Sequence, residues 1–202
     1  LVRPQRRKNA EQRVRDMILK IFPKHRTDDL LSKIVAVQGD ITLPGLGMCE
    51  SDIKKVSDNV QQFLHVGAST EFGAPLDISR LNNVEGTRHV LALASLCQKE
   101  GVFERFDYVS TAFVAGRKVG TVDEDDLSRG QEFSNNYERS KYEAEILVKE
   151  YEDQFPIAIY RPSIVVGDSN SGYTPHFKVL YWPLVLLSRN LIKFLPVNGK
   201  AH

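Results

Sequence analysis

Cysteine is scarce: Cys49 and Cys97 are the only two, they stand far apart, and neither belongs to a C-x-x-C pair. Such sparse thiols exclude a disulfide framework or a zinc module and point to a reducing, cytoplasmic compartment. The five histidines are scattered as well, so no metal site is expected. A membrane span needs about 20 consecutive apolar residues, and no such run is present. The most apolar stretch, 179–187, is broken by Pro183 and followed by Ser188 and Arg189, and reads as buried or substrate-lining chain. An excess of either charge is also missing. With 27 Lys and Arg against 26 Asp and Glu, the formal net charge is +1, too small a field to recruit nucleic acid or anionic lipid. The opening Leu1-Val-Arg-Pro-Gln-Arg-Arg-Lys8 has neither a Met nor the apolar core of a signal peptide, so upstream residues are expected to have been removed.

What is there suffices for one globular domain with a continuous core: 202 residues, 42% hydrophobic and 26% charged. Val14, Met17, Ile18 and Ile21 recur at helical spacing over 10–22. Short apolar runs at 34–38 and 62–66 end in Gly39-Asp40 and Gly67-Ala68 and read as buried strands. A long helix is expected over 76–100, stopped by Gly101, then a strand at 106–109, a helix over 137–155 halted by Pro156, and a strand at 157–160. Strict alternation without hairpin signals calls for a parallel sheet covered by helices on both faces. Such sheets bind ligands beyond the carboxyl ends of their strands, here Asp40, Gly67, Thr111 and Ser163.

Tyr137 and Lys141 stand one helical turn apart on one face. A lysine ammonium near a phenol stabilises the phenolate and lowers the tyrosine pKa toward neutrality, which suits a general acid in hydride transfer. As a bare pattern this equally describes an exposed pair on a solvated helix. Thr111 adds weight, because it ends the preceding strand where a hydroxyl can hold a substrate carbonyl.

Taken together, Tyr108-Val-Ser-Thr-Ala-Phe-Val-Ala-Gly116, Tyr137-x-x-x-Lys141 and Tyr160-Arg-Pro-Ser-Ile-Val-Val-Gly167 resemble an extended short-chain dehydrogenase. The resemblance implies a Rossmann-type, doubly wound α/β fold, with Thr111, Tyr137 and Lys141 as the catalytic set and Lys141 also on the nicotinamide ribose. It places Pro162, Ser163, Ile164 and Val165 beside the nicotinamide, Asp40 and Ile41 at the adenine, Val66, Gly67 and Ala68 at the adenosine ribose, and Asn83 in a mid-helix motif of the cofactor site. Leu1-Val2-Arg3 resembles the end of the second strand, where an arginine accommodates the 2′-phosphate of NADP and an acid would select NAD. Arg3 thus favours NADP, with Arg13 as a possible second phosphate contact, while Arg6, Arg7 and Lys8 read as a solvated loop.

The glycine-rich turn that grips a dinucleotide's pyrophosphate is missing. Gly45-Leu46-Gly47 is the single G-x-G; it has Glu50 where a third glycine should stand, follows a proline loop, and reads as an ordinary loop. The chain is therefore expected to be a partial nucleotide-binding domain over 1–202, lacking its first strand and truncated at both ends, with a gap in the middle of the sheet. Gly39 to Met48 and the segment 51–66 most resemble the thioester reductase and fatty acyl-CoA reductase branch, the male-sterility-type domain. That implies NADPH-dependent reduction of an acyl thioester, on coenzyme A or a carrier protein, to an aldehyde or alcohol. Glu71 and Phe72 could line the pocket, though a solvated Glu beside a packed Phe is the simpler reading. The alternatives are a nucleotide-sugar epimerase or dehydratase, a hydroxysteroid-type dehydrogenase, or an NADP-binding protein without turnover.

Overall fold

The computed structural model describes residues 1–3, 8–22, 24–174 and 181–193. The chain divides into a unit Leu1–Arg161 and a smaller unit Pro162–His202. Arg6, Arg7 and the first residues of the apolar stretch at 179–187 lie outside the described residues.

The first unit is α/β. Helix α1 (Ala10–Ile21) begins at Asn9, whose side chain accepts from the Gln12 N–H while Gln12 reaches back to the Asn9 N–H. This reciprocal cap satisfies two donors that a helix start leaves unpaired. Then come α2 (Lys24–Ser32), α3 (Glu50–Asn59), β1 (Gln62–His65), α4 (Leu76–Arg80), a π-turn (Leu81–Glu85), α5 (Gly86–Lys99), β2 (Arg105–Val109), α6 (Asn136–Lys149) and β3 (Ile157–Tyr160). The three strands form a parallel sheet in the order β1-β2-β3, with His65 opposite Tyr108 and Tyr108 opposite Ile159. Alternation along the strands sends Phe63, Phe106 and Tyr108 into a core shared with Leu91 and Ala94 of α5 and with Ala144 and Val148 of α6.

The expected helix 76–100 forms as one run, except for the π-turn at its centre. There the Thr87 hydroxyl donates to the Asn83 carbonyl at 2.6 Å, a competition with the helix's own bonds that distorts it locally. Gly101, at φ +84°, stops it as expected.

Elsewhere the structure departs from the reading. The run 34–38 makes no strand: Val2 bridges Gln38 in parallel, with Val2 N–H on Val37 O at 2.8 Å and Gly39 N–H on Val2 O at 3.1 Å. Helix α6 ends at Lys149 instead of Phe155, because the chain tightens into i,i+3 turns that swing Phe155 into the core against Phe103 and Phe106. Gly45, Leu46 and Gly47 are indeed a turn, but one in which all three residues take positive φ and Leu46 is buried. In the second unit Tyr181–Ser188 form a helix, α7, with no buried residue, so of the two readings of this stretch, buried or substrate-lining, the buried one does not hold over 181–187. Among the described residues no helix is long and apolar enough to cross a membrane, and no group of His, Cys, Asp and Glu could hold a metal ion.

Candidate active site

Helix α6 starts where it does because Asn135 caps it: its side chain accepts the Glu138 N–H at 2.9 Å. Tyr137 consequently falls in the first turn and Lys141 one turn deeper. Tyr137 is partly buried, with the Phe72 ring 5.4 Å from its own, so Phe72 does line the tyrosine. Thr111 closes β2 and is nearly buried. Its hydroxyl accepts from the Phe113 N–H at 3.3 Å. Burial pushes the Tyr137 pKa up; the neighbouring Thr111 hydroxyl pulls it down without reversing the shift, and Glu138 adds to the rise. A lowering by Lys141 was the expectation, and the structure supplies none: the Lys141 ammonium is turned inward.

Its Nζ donates to Tyr108 Oη at 2.7 Å and to the Val109 carbonyl at 3.0 Å, and lies 4.3 Å from the Tyr108 ring centre. Burial lowers the Lys141 pKa to about 8, against an opposing pull from Glu145. Tyr108 was not legible as a site residue, since only its alternation into the core, opposite the helix carrying Lys141, could have signalled it. Glu145 was missed as well. Fully buried one turn beyond Lys141, it pairs with Arg161 Nε at 2.9 Å and Nη2 at 2.5 Å and accepts from the Ser110 hydroxyl. Arg161 also donates to the Asp123 and Asp126 carbonyls. This knot joins the ends of β2 and β3 to α6 and to the loop before it.

The expected cofactor residues of the first unit gather around a cleft of about 750 Å³, whose lining includes Arg3, Ile41, Val66, Gly67 and Ala68. Asp40 sits at its edge, where its Oδ1 accepts from Arg3 Nη2 at 2.7 Å and from the Thr42 N–H and hydroxyl at 2.9 and 2.7 Å. Burial raises the Asp40 pKa, but these donors outweigh it and hold the carboxyl below the usual range. Arg13 donates to the Arg3 carbonyl. Asn83 was expected to contact the cofactor, yet it is 1% exposed and its amide is consumed internally. Its Oδ1 accepts the Ser69 N–H at 2.7 Å, and its Nδ2 donates to Ser69 O at 3.1 Å and Ser140 Oγ at 2.9 Å. Asn83 therefore pins the turn after β1 to α6 from beneath. Pro162, Ser163, Ile164 and Val165 open the second unit as irregular chain, with Ser163, Ile164 and Val165 exposed.

A parallel sheet in the order β1-β2-β3 with helices packed on it, and a cleft lined by β1 and the turn that follows it, is the arrangement of a Rossmann-type nucleotide-binding domain. The profile described as male sterility protein matches residues 1–202, and the chain belongs to that family of NAD(P)-binding domains. It is 27% identical over 243 residues to the fatty acyl-CoA reductase wat of Drosophila melanogaster, covering 100% of this chain and 45% of that protein. To the hybrid PKS-NRPS synthetase xenE of Xenoacremonium sinensis it is 29% identical over 175 residues, 84% of this chain and 4% of that protein. Among solved structures, the terminal R domain from the myxalamid PKS-NRPS biosynthetic pathway superposes with a TM-score of 0.78 at 29% identity, covering 94% of this chain and 47% of that one. The chain thus spans less than half the length of these relatives.

Proposed function

We propose that the protein carrying this chain reduces an acyl thioester, held on coenzyme A or on a carrier protein, to an aldehyde or alcohol at the expense of NADPH. The observation that carries the reading is the placement of Tyr137 in the first turn of α6, beside the Thr111 hydroxyl and one turn from the buried Lys141, in a family whose relatives include a protein named as a fatty acyl-CoA reductase.

The residues present fit a dinucleotide. The turn at Val66-Gly67-Ala68 offers backbone along the cleft, and Gly67 has no side chain to hold a ligand away. The Arg3 guanidinium lines the same cleft and suits a 2′-phosphate better than a ribose hydroxyl, which favours NADP over NAD. Pro162, Ser163, Ile164 and Val165 remain our proposed border of the nicotinamide, on family resemblance. When bound, NADPH supplies the hydride.

As negative charge grows on the substrate oxygen, Tyr137 donates to it and can give up its proton, with the Thr111 hydroxyl beside it. Tyr137 also lies in the first turn of α6, where the helix dipole favours negative charge. Lys141, held by Tyr108 and the Val109 carbonyl, would hydrogen-bond the nicotinamide ribose, on family resemblance. Phe72 packs its ring beside that of Tyr137. The two unbridged cysteines, Cys49 and Cys97, suit a cytoplasmic setting.

Tyr137→Phe tests the reading in the full-length protein. NADPH oxidation with an acyl-coenzyme A should fall by roughly 10²- to 10⁴-fold, the usual worth of a general acid, with NADPH binding retained. Unchanged turnover in the variant would remove Tyr137 from the chemistry and the proposal with it.

A further inference from the structure

Two sets of buried hydrogen bonds lie inward of Lys141, one from the lysine to Tyr108 and one joining Thr87 to Asn83 and His65. Tyr108 Oη accepts from the Lys141 ammonium at 2.7 Å, so its single proton goes elsewhere; the Thr87 side chain lies beside it and draws its pKa down against the rise from burial. Thr87 Oγ1 donates to the Asn83 carbonyl at 2.6 Å and has no second proton to give. His65 Nε2, 3.0 Å from Thr87 Oγ1, is therefore the donor in that pair, which fixes the neutral Nε2–H tautomer. Burial, helped by the Lys141 charge, holds the His65 pKa at about 3, in keeping with a neutral ring. The hydroxyl protons of Tyr108 and Thr87 thus both point away from the lysine.

Packing alone does not ask for this hydroxyl. Phe106, two residues earlier on the same strand face, is equally buried without one. A lysine ammonium has three N–H donors, and two are spent on Tyr108 and Val109. We infer that Tyr108 is the positioning residue of Lys141: fixed by its buried ring, with Thr87 and its bond to the Asn83 carbonyl behind it, it holds the ammonium charged and in place, leaving its third N–H for the cofactor. The inference rests on the reading of Lys141 as a cofactor-binding group. The ionisable groups facing Lys141 are His65 from β1, Tyr108 from β2, and Tyr137 and Glu145 from α6; Thr87 on α5 carries no charge. Within this set Tyr108 is the one whose side chain accepts a hydrogen bond from the ammonium directly. Hydrogen bonding to the charged form favours it, so losing that acceptor lets the buried ammonium shed its proton more easily.

The test is a fluorescence titration of NADPH against the full-length protein, repeated from neutral to alkaline pH with no thioester present. The wild type is expected to lose affinity as Lys141 deprotonates. Tyr108→Phe keeps the ring and removes the hydroxyl, and its loss of affinity should begin about one pH unit lower. Thr87→Val, which leaves the lysine untouched, should shift the curve the same way by less, and Thr87→Ser should restore it. A Tyr108 that only fills space would lower the melting temperature and leave the curve in place. Superimposed curves for the wild type, Tyr108→Phe and Thr87→Val overturn the inference. A wild type whose affinity shows no alkaline loss overturns the assignment of Lys141 itself, a separate failure.

Discussion

The guanidinium of Arg3 lies 2.7 Å from the carboxylate of Asp40, so the group expected to meet a 2′-phosphate is already engaged by an acid expected at the adenine. Arg3 is about half exposed, and such a partly solvated pair is weak, of order 1 kcal/mol or less. A phosphate can therefore compete for the arginine. Arg3→Ala should weaken NADPH by about tenfold and leave NADH nearly unaffected, because a charge-assisted bond to phosphate disappears in one case only. Parallel titrations of both nucleotides check this; equal losses would mean that Arg3 serves the fold and not the choice of cofactor.

Thr111→Val removes the hydroxyl beside Tyr137 while keeping the side chain's shape. Turnover should drop by roughly 10- to 1,000-fold with the Michaelis constant for NADPH little changed, as for loss of one donor to a developing oxyanion. Steady-state kinetics decide the matter, and a variant with wild-type turnover would strip Thr111 of its role.

Burial holds the folded-state pKa of Lys141 at about 8, below its ordinary value of 10.5. The unfolded chain therefore binds more protons between those two values, so this group makes stability rise with pH across that window. Below it, burying the charged lysine is a constant penalty. Comparing wild type with Lys141→Met by thermal unfolding should show the wild type gaining relative to the variant as pH rises from about 8 to about 10.5. Parallel curves would place the lysine in a far wetter site than the structure gives it.

Glu145 is fully buried against Arg161, whose side chain is 15% exposed. Removing one partner of such a pair strands the other charge, at a cost of about 3–5 kcal/mol. Glu145→Ala should therefore lower the denaturant midpoint by that equivalent, with Glu145→Gln intermediate. A loss of under about 1 kcal/mol would show that solvent reaches the pair.

The sheet was legible because β1, β2 and β3 are short runs built on Phe63-Leu64, Phe106 with Tyr108-Val109, and Ile157 to Tyr160, each soon followed by glycine, serine or proline. The run 34–38 is more continuously apolar than β1 or β2 but pairs only through the Val2–Gln38 bridge; strand identity belongs to the pair, which one segment's sequence does not contain. Helix α3 escaped notice although Ile53 and Val56 mark its inner face, because glycine and proline just before it read as loop. Tyr137, Lys141 and Thr111 were readable from local spacing. Tyr108 and Glu145 were not, because what makes them matter is a contact from another element. Asn83 was readable as important but not in its role, since a helical motif gives no sign of whether its amide faces a ligand or the protein.

Ile41, at the turn expected to meet the adenine, is wedged against two glycines: a methyl group added at Gly86 would meet its side chain at 3.0 Å, and one at Gly67 at 3.5 Å. The turn we propose for the nucleotide and the central helix are thus geared together through a single branched side chain. A substitution as small as Gly86→Ala, at a residue outside the lining of the cleft, would displace Ile41 within it, and tolerance at position 86 becomes a gauge of how finely that part of the cleft is set.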